Sequence, residues 1–275
     1  STVTNGIQSF DTDGVTFGAN NKSNASDSTY VTWAWKADDN EPAINTEGSI
    51  DSIVSANANA GFSIVKYTGT GSNTTIGHGL SAAPEMMIIK NLDQADSWVV
   101  YHSAIGTSQF LNLDSSTAAS GSGDIFGTPS DTGVAPTSTL FTVGSNHKSG
   151  ASGENYIAYC FHSVSGYSKF GSYSGTGSTQ SITGLGFQPD WVLIKETSAA
   201  ESWRIFDSVR GATERYETLE SGMTIISGLD KNNILESIKL ATSRKKNISR
   251  YDFYRDYSPS DVVINALRSK IKNYF

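Results

Sequence analysis

The chain has little of several things that usually organise a protein. It holds one cysteine, Cys160, in 275 residues. An intrachain disulfide and a cysteine-based zinc site are therefore excluded. Cys160 lies within the apolar run Tyr156-Ile157-Ala158-Tyr159-Cys160-Phe161, which predicts a buried structural thiol. Only 17% of residues are charged and six are proline. There is no apolar run of 18 residues, so no transmembrane helix and no membrane insertion are expected. Ser1 opens a polar segment without Met and without a basic leader, which reads as a processed or excised product with no signal peptide. Residues 1–208 carry 8 Lys and Arg against 19 Asp and Glu, a balance of −11. Residues 209–275 carry 12 against 8, a balance of +4. An acidic body argues against nucleic acid as a partner, because counterion release needs clustered cationic side chains.

Glycine, serine, threonine and aromatic residues are present in quantity, and they recur in order. Gly61 to Ser103 contains Lys66-Tyr67-Thr68-Gly69-Thr70-Gly71-Ser72, Pro84-Glu85-Met86-Met87-Ile88-Ile89-Lys90 and Ser97-Trp98-Val99-Val100-Tyr101-His102-Ser103. The same pattern returns as Ser172-Tyr173-Ser174-Gly175-Thr176-Gly177-Ser178, Pro189-Asp190-Trp191-Val192-Leu193-Ile194-Lys195 and Ser202-Trp203-Arg204-Ile205-Phe206-Asp207-Ser208. The offset is 106 residues at Tyr67 and 105 from Pro84 onward. A second match joins Val15-Thr16-Phe17-Gly18 to Phe141-Thr142-Val143-Gly144, and Tyr30–Trp35 to Tyr156–Phe161, at a constant offset of 126. Such periods mark a repeat architecture. Residues 1–60 are the end of one repeat plus a connection, 61–165 a complete repeat, and 166–208 the first half of another.

Phe62-Ser63-Ile64-Val65-Lys66-Tyr67 alternates apolar and polar residues, the pattern of a half-buried strand. Met86–Ile89 and Trp191–Ile194 are continuous apolar runs and predict central strands covered on both faces. Ser115 to Thr139 is rich in Gly, Ser, Thr and Asp and predicts a long surface loop. Six or seven strands per repeat, with turns between them, predict a mainly β fold, an antiparallel β-sandwich built from internal repeats. Beyond Ser208 the texture changes. Asp230 with Ile234, Leu235, Ile238 and Ala241, and Ser258-Pro259-Ser260-Asp261 with Val262, Val263, Ala266, Leu267 and Ile271, predict two helices and a small α/β or helical module over 209–275.

Few residues invite chemistry. His78, His102, His147 and His162 show no metal-ligand spacing, and turn or surface positions are expected for them. Asp93 with Asp96, and Glu196 with Glu201, occupy comparable loops, where solvated carboxylates are expected ahead of acid–base work or a Ca²⁺ site. Trp33, Trp35, Trp98, Trp191 and Trp203 are expected in the sandwich core ahead of a sugar-stacking role. His78 aligns with Thr183 and His102 with Asp207, so the copies share scaffold rather than reactive groups.

Residues 1 to about 208 resemble a domain repeated in structural and tail-fibre proteins of marine bacteriophages. The carriers are Trp33-Ala34-Trp35-Lys36-Ala37, Gly61–Gly69, His78-Gly79-Leu80 with Pro84, Trp98–Ser103, Tyr156–Phe161 and Lys169–Tyr173. That resemblance implies an extracellular virion appendage or surface protein with no catalytic residue to carry over, and the leading reading is a non-enzymatic virion protein without a cofactor, beside other virion subunits. Exposed strand edges of incomplete repeats predict a homo-oligomer, and exposed loops suit a host-surface glycan as a ligand. Val209–Gly222, containing Thr213-Glu214-Arg215-Tyr216-Glu217, resembles the Thr-Glu-Arg-Pro-Glu segment of UDP-N-acetylglucosamine 2-epimerases, with Tyr216 in place of the proline. This implies a remnant UDP-sugar site at Thr213, Glu214, Arg215 and Glu217, and a fused epimerase fragment lacking catalytic parts. A nucleotide-sugar enzyme fragment and a stand-alone carbohydrate-binding module are the alternative readings.

Overall fold

The structure is a computed structural model of the chain. It describes residues 6–20, 23–28, 30, 32, 34–38, 40–127 and 133–208, and the backbone of 217–218. The two helices expected after residue 230 lie outside the described residues.

Strand formation follows the sequence pattern. β1 (Ile7–Asp11) and β2 (Gly14–Phe17) form an antiparallel hairpin. β3 (Ala43–Asn45) and β4 (Ser52–Asn57) lead into β5 (Phe62–Thr68), the alternating segment. β6 (Thr74–Gly77) follows the Gly69–Gly71 turn. Gly71 needs its positive φ of 73° there, a conformation that other residues adopt at a cost. β7 (Met86–Asn91) begins two residues after Pro84, where a missing N–H breaks no ladder. β8 (Val99–His102), β9 (Gly106–Asn112), β10 (Ser120–Gly121), β11 (Leu140–Val143) and β12 (Asn155–Phe161) complete the full repeat. Gly61 to Ser163 therefore holds eight strands, β10 being only two residues long.

These strands make a mainly β, antiparallel sandwich. One layer is an eight-stranded sheet in the order β10-β9-β8-β7-β12-β5-β4-β3, and the other is the ribbon β11-β6. The last strand of the repeat thus lies at the centre of the large sheet. β12 pairs with β5 through Tyr156↔Tyr67 and Ala158↔Val65, and with β7 through Ala158↔Ile89 and Cys160↔Met87. The core sits on the face that these residues share. Val54, Val65, Tyr67, Met87, Ile89, Val99, Tyr101, Tyr156, Ala158 and Cys160 line it, and Ile76, Phe141 and Val143 of the ribbon close it. Tyr67 stacks on Tyr156 at 5.3 Å and meets Phe141 edge-on at 5.8 Å. Burial pushes the Cys160 thiol up to about 12, so it stays protonated and inert, as the apolar run predicts.

Three expectations need correction. Met86–Ile89 is not covered on both faces: Met87 and Ile89 are buried, while Met86 and Ile88 are half-buried. The sheet is antiparallel with one packed face, so full coverage is not required. The tryptophans are mostly not core. Trp203 is buried, Trp98 is half-buried against Tyr159, and Trp35 and Trp191 are exposed, while Trp33 lies outside the described residues. Finally, the polar segment 115–139 is not only a surface loop. It delivers Ile125 and Phe126, each 1% exposed, into the core, with Phe126 edge-on to Tyr101 at 5.5 Å. Gly144 and Ser149 hold the Ile125 carbonyl, at 3.2 Å and 2.8 Å.

The half-repeat 166–208 keeps part of the pattern. β13 (Trp191–Ile194) and β14 (Arg204–Asp207) stand where the 105-residue offset places the copies of β7 and β8. With β15 (Glu217–Thr218) they form a separate three-stranded sheet. The copies of β5 and β6, residues 168–174 and 180–183, form no strand and are largely exposed.

Phe126→Ala tests the core role of the loop. Urea unfolding should show a loss of about 3–5 kcal/mol, as for a buried phenylalanine; a surface loop residue would change stability by less than about 0.5 kcal/mol.

Candidate functional site

Among the described residues, a dense group of polar and titratable side chains lies at one end of β7 and β12, where the loop 92–97 meets the loop 144–154. Asn91, 1% exposed, ends β7 and organises it. Its side-chain oxygen accepts the N–H groups of Asp93 and Gln94 at 2.9 Å and 3.0 Å, an Asx turn. Its amide donates to the His147 carbonyl at 2.7 Å and to Glu154 Oε2 at 2.6 Å. The single proton of the Tyr156 hydroxyl is shared between the same two acceptors, at 2.8 Å and 3.1 Å. Desolvation, with Glu154 adding to it, raises the pKa of Tyr156 far above the ordinary phenol value, so the hydroxyl remains a donor.

The loop acids of the sequence reading are drawn to separate partners. Asp93 Oδ2 accepts the backbone and side-chain N–H groups of Asn155, at 2.6 Å and 3.0 Å. Asp96 receives His147 Nδ1, which lies 2.9 Å from Oδ1 and 3.0 Å from Oδ2. Gln94 Nε2 donates to Glu154 Oε1 at 3.1 Å. Each carboxylate therefore ties one loop to the other. Among the described residues no three His, Cys, Asp or Glu side chains are grouped as a metal site. Glu196 and Glu201 are exposed, and Glu196 accepts from Ser198 Oγ at 3.0 Å.

The histidines divide. His147 is exposed, as expected. His78, expected in a turn or at the surface, is instead wholly buried, directly after β6. Its Nδ1 accepts the Leu80 N–H at 3.1 Å, and Nε2 donates to the Thr137 carbonyl at 3.2 Å. This pattern requires the neutral ring protonated at Nε2. Desolvation lowers its pKa. His102 is half-buried, its Nδ1 accepts the Ala104 N–H at 3.1 Å, and desolvation lowers its pKa as well. His162 is 8% exposed, with Nδ1 2.9 Å from the Ser163 carbonyl.

Thr213, Glu214 and Arg215, implied as a UDP-sugar remnant, lie outside the described residues. For Glu217 only the backbone is described, in β15 opposite Ile205. Asn91, Glu154 and Tyr156 were not singled out from sequence. Asn91 stands at the end of an apolar run with Asp93 two residues on, which is an Asx-turn signal. Comparison of the copies hides it, because Asn91 aligns with Glu196 and Glu154 with Ser28.

Residues 1–245 match the family model "Domain of unknown function (DUF7483)", and the chain belongs to that family. The match extends past Ser208 into the segment with the epimerase-like motif. No curated protein and no solved structure matches the chain.

Two measurements check this account of the site. Asn91→Ala should cost about 1–3 kcal/mol in equilibrium unfolding, since several donors and acceptors lose their partner together. His78 and His102 bind fewer protons when folded than when unfolded around pH 6, so stability should rise with pH there. It should fall as pH drops below the ordinary histidine value, about 6.5, and the fall should end below the lowered folded-state values. A pH series of urea midpoints should show that slope, reduced in His78→Gln.

Proposed function

We propose that this member of a family of unknown function is a non-enzymatic structural protein of a phage virion. It serves as a β-repeat module of a tail fibre or surface appendage, works outside the cell beside other virion subunits, and offers loops to a host-surface glycan. One observation carries the reading. Among the described residues of the complete repeat, several side chains able to do chemistry are engaged in fixing backbone: Asp93 on Asn155, Asp124 on Ser145, His78 on Leu80 and Thr137. Groups committed in this way make a stiff frame, and exposed loops on such a frame can vary at little cost to the core. The repeated sequence supports the same reading, because the copies share turns, strand starts and apolar runs.

Antibodies raised against residues 61–165 should decorate the appendages of intact particles in immunoelectron microscopy; particles without label would contradict the proposal. The rival reading, a nucleotide-sugar enzyme fragment, predicts calorimetric binding of UDP-N-acetylglucosamine that Arg215→Ala abolishes. The structural reading predicts no heat in either protein.

A further inference from the structure

The pairing of β3 with β4 stops short of the end of β4. It runs from Asn45↔Ser52 to Ala43↔Val54, while β4 continues to Asn57 along β5. Among the described residues, β5 is the only strand that pairs with residues 55–57. Residues 36–38 approach this part of β4 through side chains instead. The Asp38 N–H donates to Ser55 Oγ at 3.1 Å, and the Asn57 amide donates to the Lys36 carbonyl at 3.5 Å. A backbone ladder would have closed the space between the two segments. A groove of about 400 Å³ lies there, walled by residues 36–38 and 56–59.

The walls are of two kinds. Ala37, Ala56 and Ala58 supply methyl groups, and Lys36, Asp38, Asn57 and Asn59 supply polar ones. Asn57 shapes the groove: its Oδ1 accepts the Ala60 N–H at 3.0 Å and so fixes the turn after β4. Asn59 is exposed in that turn and hydrogen-bonds to no described residue. Asp38 Oδ1 accepts the backbone and side-chain N–H groups of Asn40, at 3.2 Å and 2.9 Å, while Oδ2 accepts from no described residue. Asp93, Asp124 and His78 spend their polar atoms on backbone; at this groove, polar atoms remain for a ligand. Trp35, next to Lys36 in the chain, is 55% exposed.

This combination suits a ligand with hydroxyls on its rim and C–H groups on its faces. A carboxylate oxygen accepts from hydroxyls, and a primary amide both donates and accepts. Methyl groups and an indole meet the apolar faces. Charge narrows the class. Lys36 and Asp38 cancel, and residues 1–208 carry 8 Lys and Arg against 19 Asp and Glu, a field that repels an anionic chain. An extended peptide would need a longer run of unpaired strand than 55–57 offers.

We propose that this groove binds a neutral saccharide. Trp35 stacks on a sugar face, Asp38 Oδ2 and the Asn59 amide hold ring hydroxyls, and the alanines lie under the C–H groups. The inference rests on the glycan part of the function proposed above and gives it a site. The test applies the labelled full chain, with Asn59→Ala, Asp38→Asn and Trp35→Ala variants, to an array of neutral and anionic glycans. Neutral glycans should retain the protein, and each variant should bind them at least about fivefold more weakly, the order expected for one lost hydrogen bond or ring contact. The substituted residues are exposed, so urea midpoints should not move. Neutral binding that survives undiminished in all three variants would overturn this site and leave the glycan reading standing. Binding to anionic glycans alone would overturn the neutral class. Binding to no glycan would remove both the site and the glycan from the proposed function.

Discussion

The fold depends on one strand having two neighbours. β12 is the last strand of the repeat in sequence, yet it lies between β5 and β7. Every N–H and C=O of a buried strand needs a partner, and a strand inserted at the centre satisfies both of its neighbours at once. Its inward side chains, Tyr156, Ala158 and Cys160, are also the middle of the core. The sheet therefore cannot close until about a hundred residues have been joined, a long-range pairing of the kind that slows folding. The polar group around Asn91 serves the same strand. It fixes the loop entering β12 to the loop leaving β7, so the central register is held at its open end.

The half-repeat 166–208 shows what happens where, among the described residues, that neighbour is missing. Residues 168–174 carry the Lys-Phe-Gly-Ser-Tyr pattern of a strand and still form none. Strand propensity expresses packing against neighbours more than a backbone preference, so the same pattern gives order in one context and exposure in the other. β13 and β14 persist because they pair with one another and β14 pairs with β15.

Much of this was legible in the sequence. The internal offsets place β13, β14 and β2 on the copies of β7, β8 and β11, and the alternation of Phe62–Tyr67 marks β5. What escaped has physical reasons. Ile125 and Phe126 enter the core from a polar loop, where two apolar residues make no period for a pattern to find. Burial of His78 depends on the Thr137 carbonyl, which is 59 residues away, and no local spacing signals such a pair. The tryptophans misled because repetition marks equivalent positions, while burial depends on whether the partner strand is there. Trp203 and Trp191 both belong to the half-repeat 166–208, yet Trp203 is covered and hydrogen-bonded to the Asn112 carbonyl while Trp191 is exposed. The Asn91 group was hidden because Asn91 and Glu154 differ between copies, as Glu196 and Ser28.

The central claim is that order in these strands is conferred by the neighbour that β12 supplies. Amide hydrogen exchange of the dilute protein tests it most directly. The amides of Ala158 and Cys160 should exchange only through global unfolding, while those of residues 169–174 should exchange near the rate of an unstructured peptide. Protection of residues 169–174 equal to that of β5 would contradict the account.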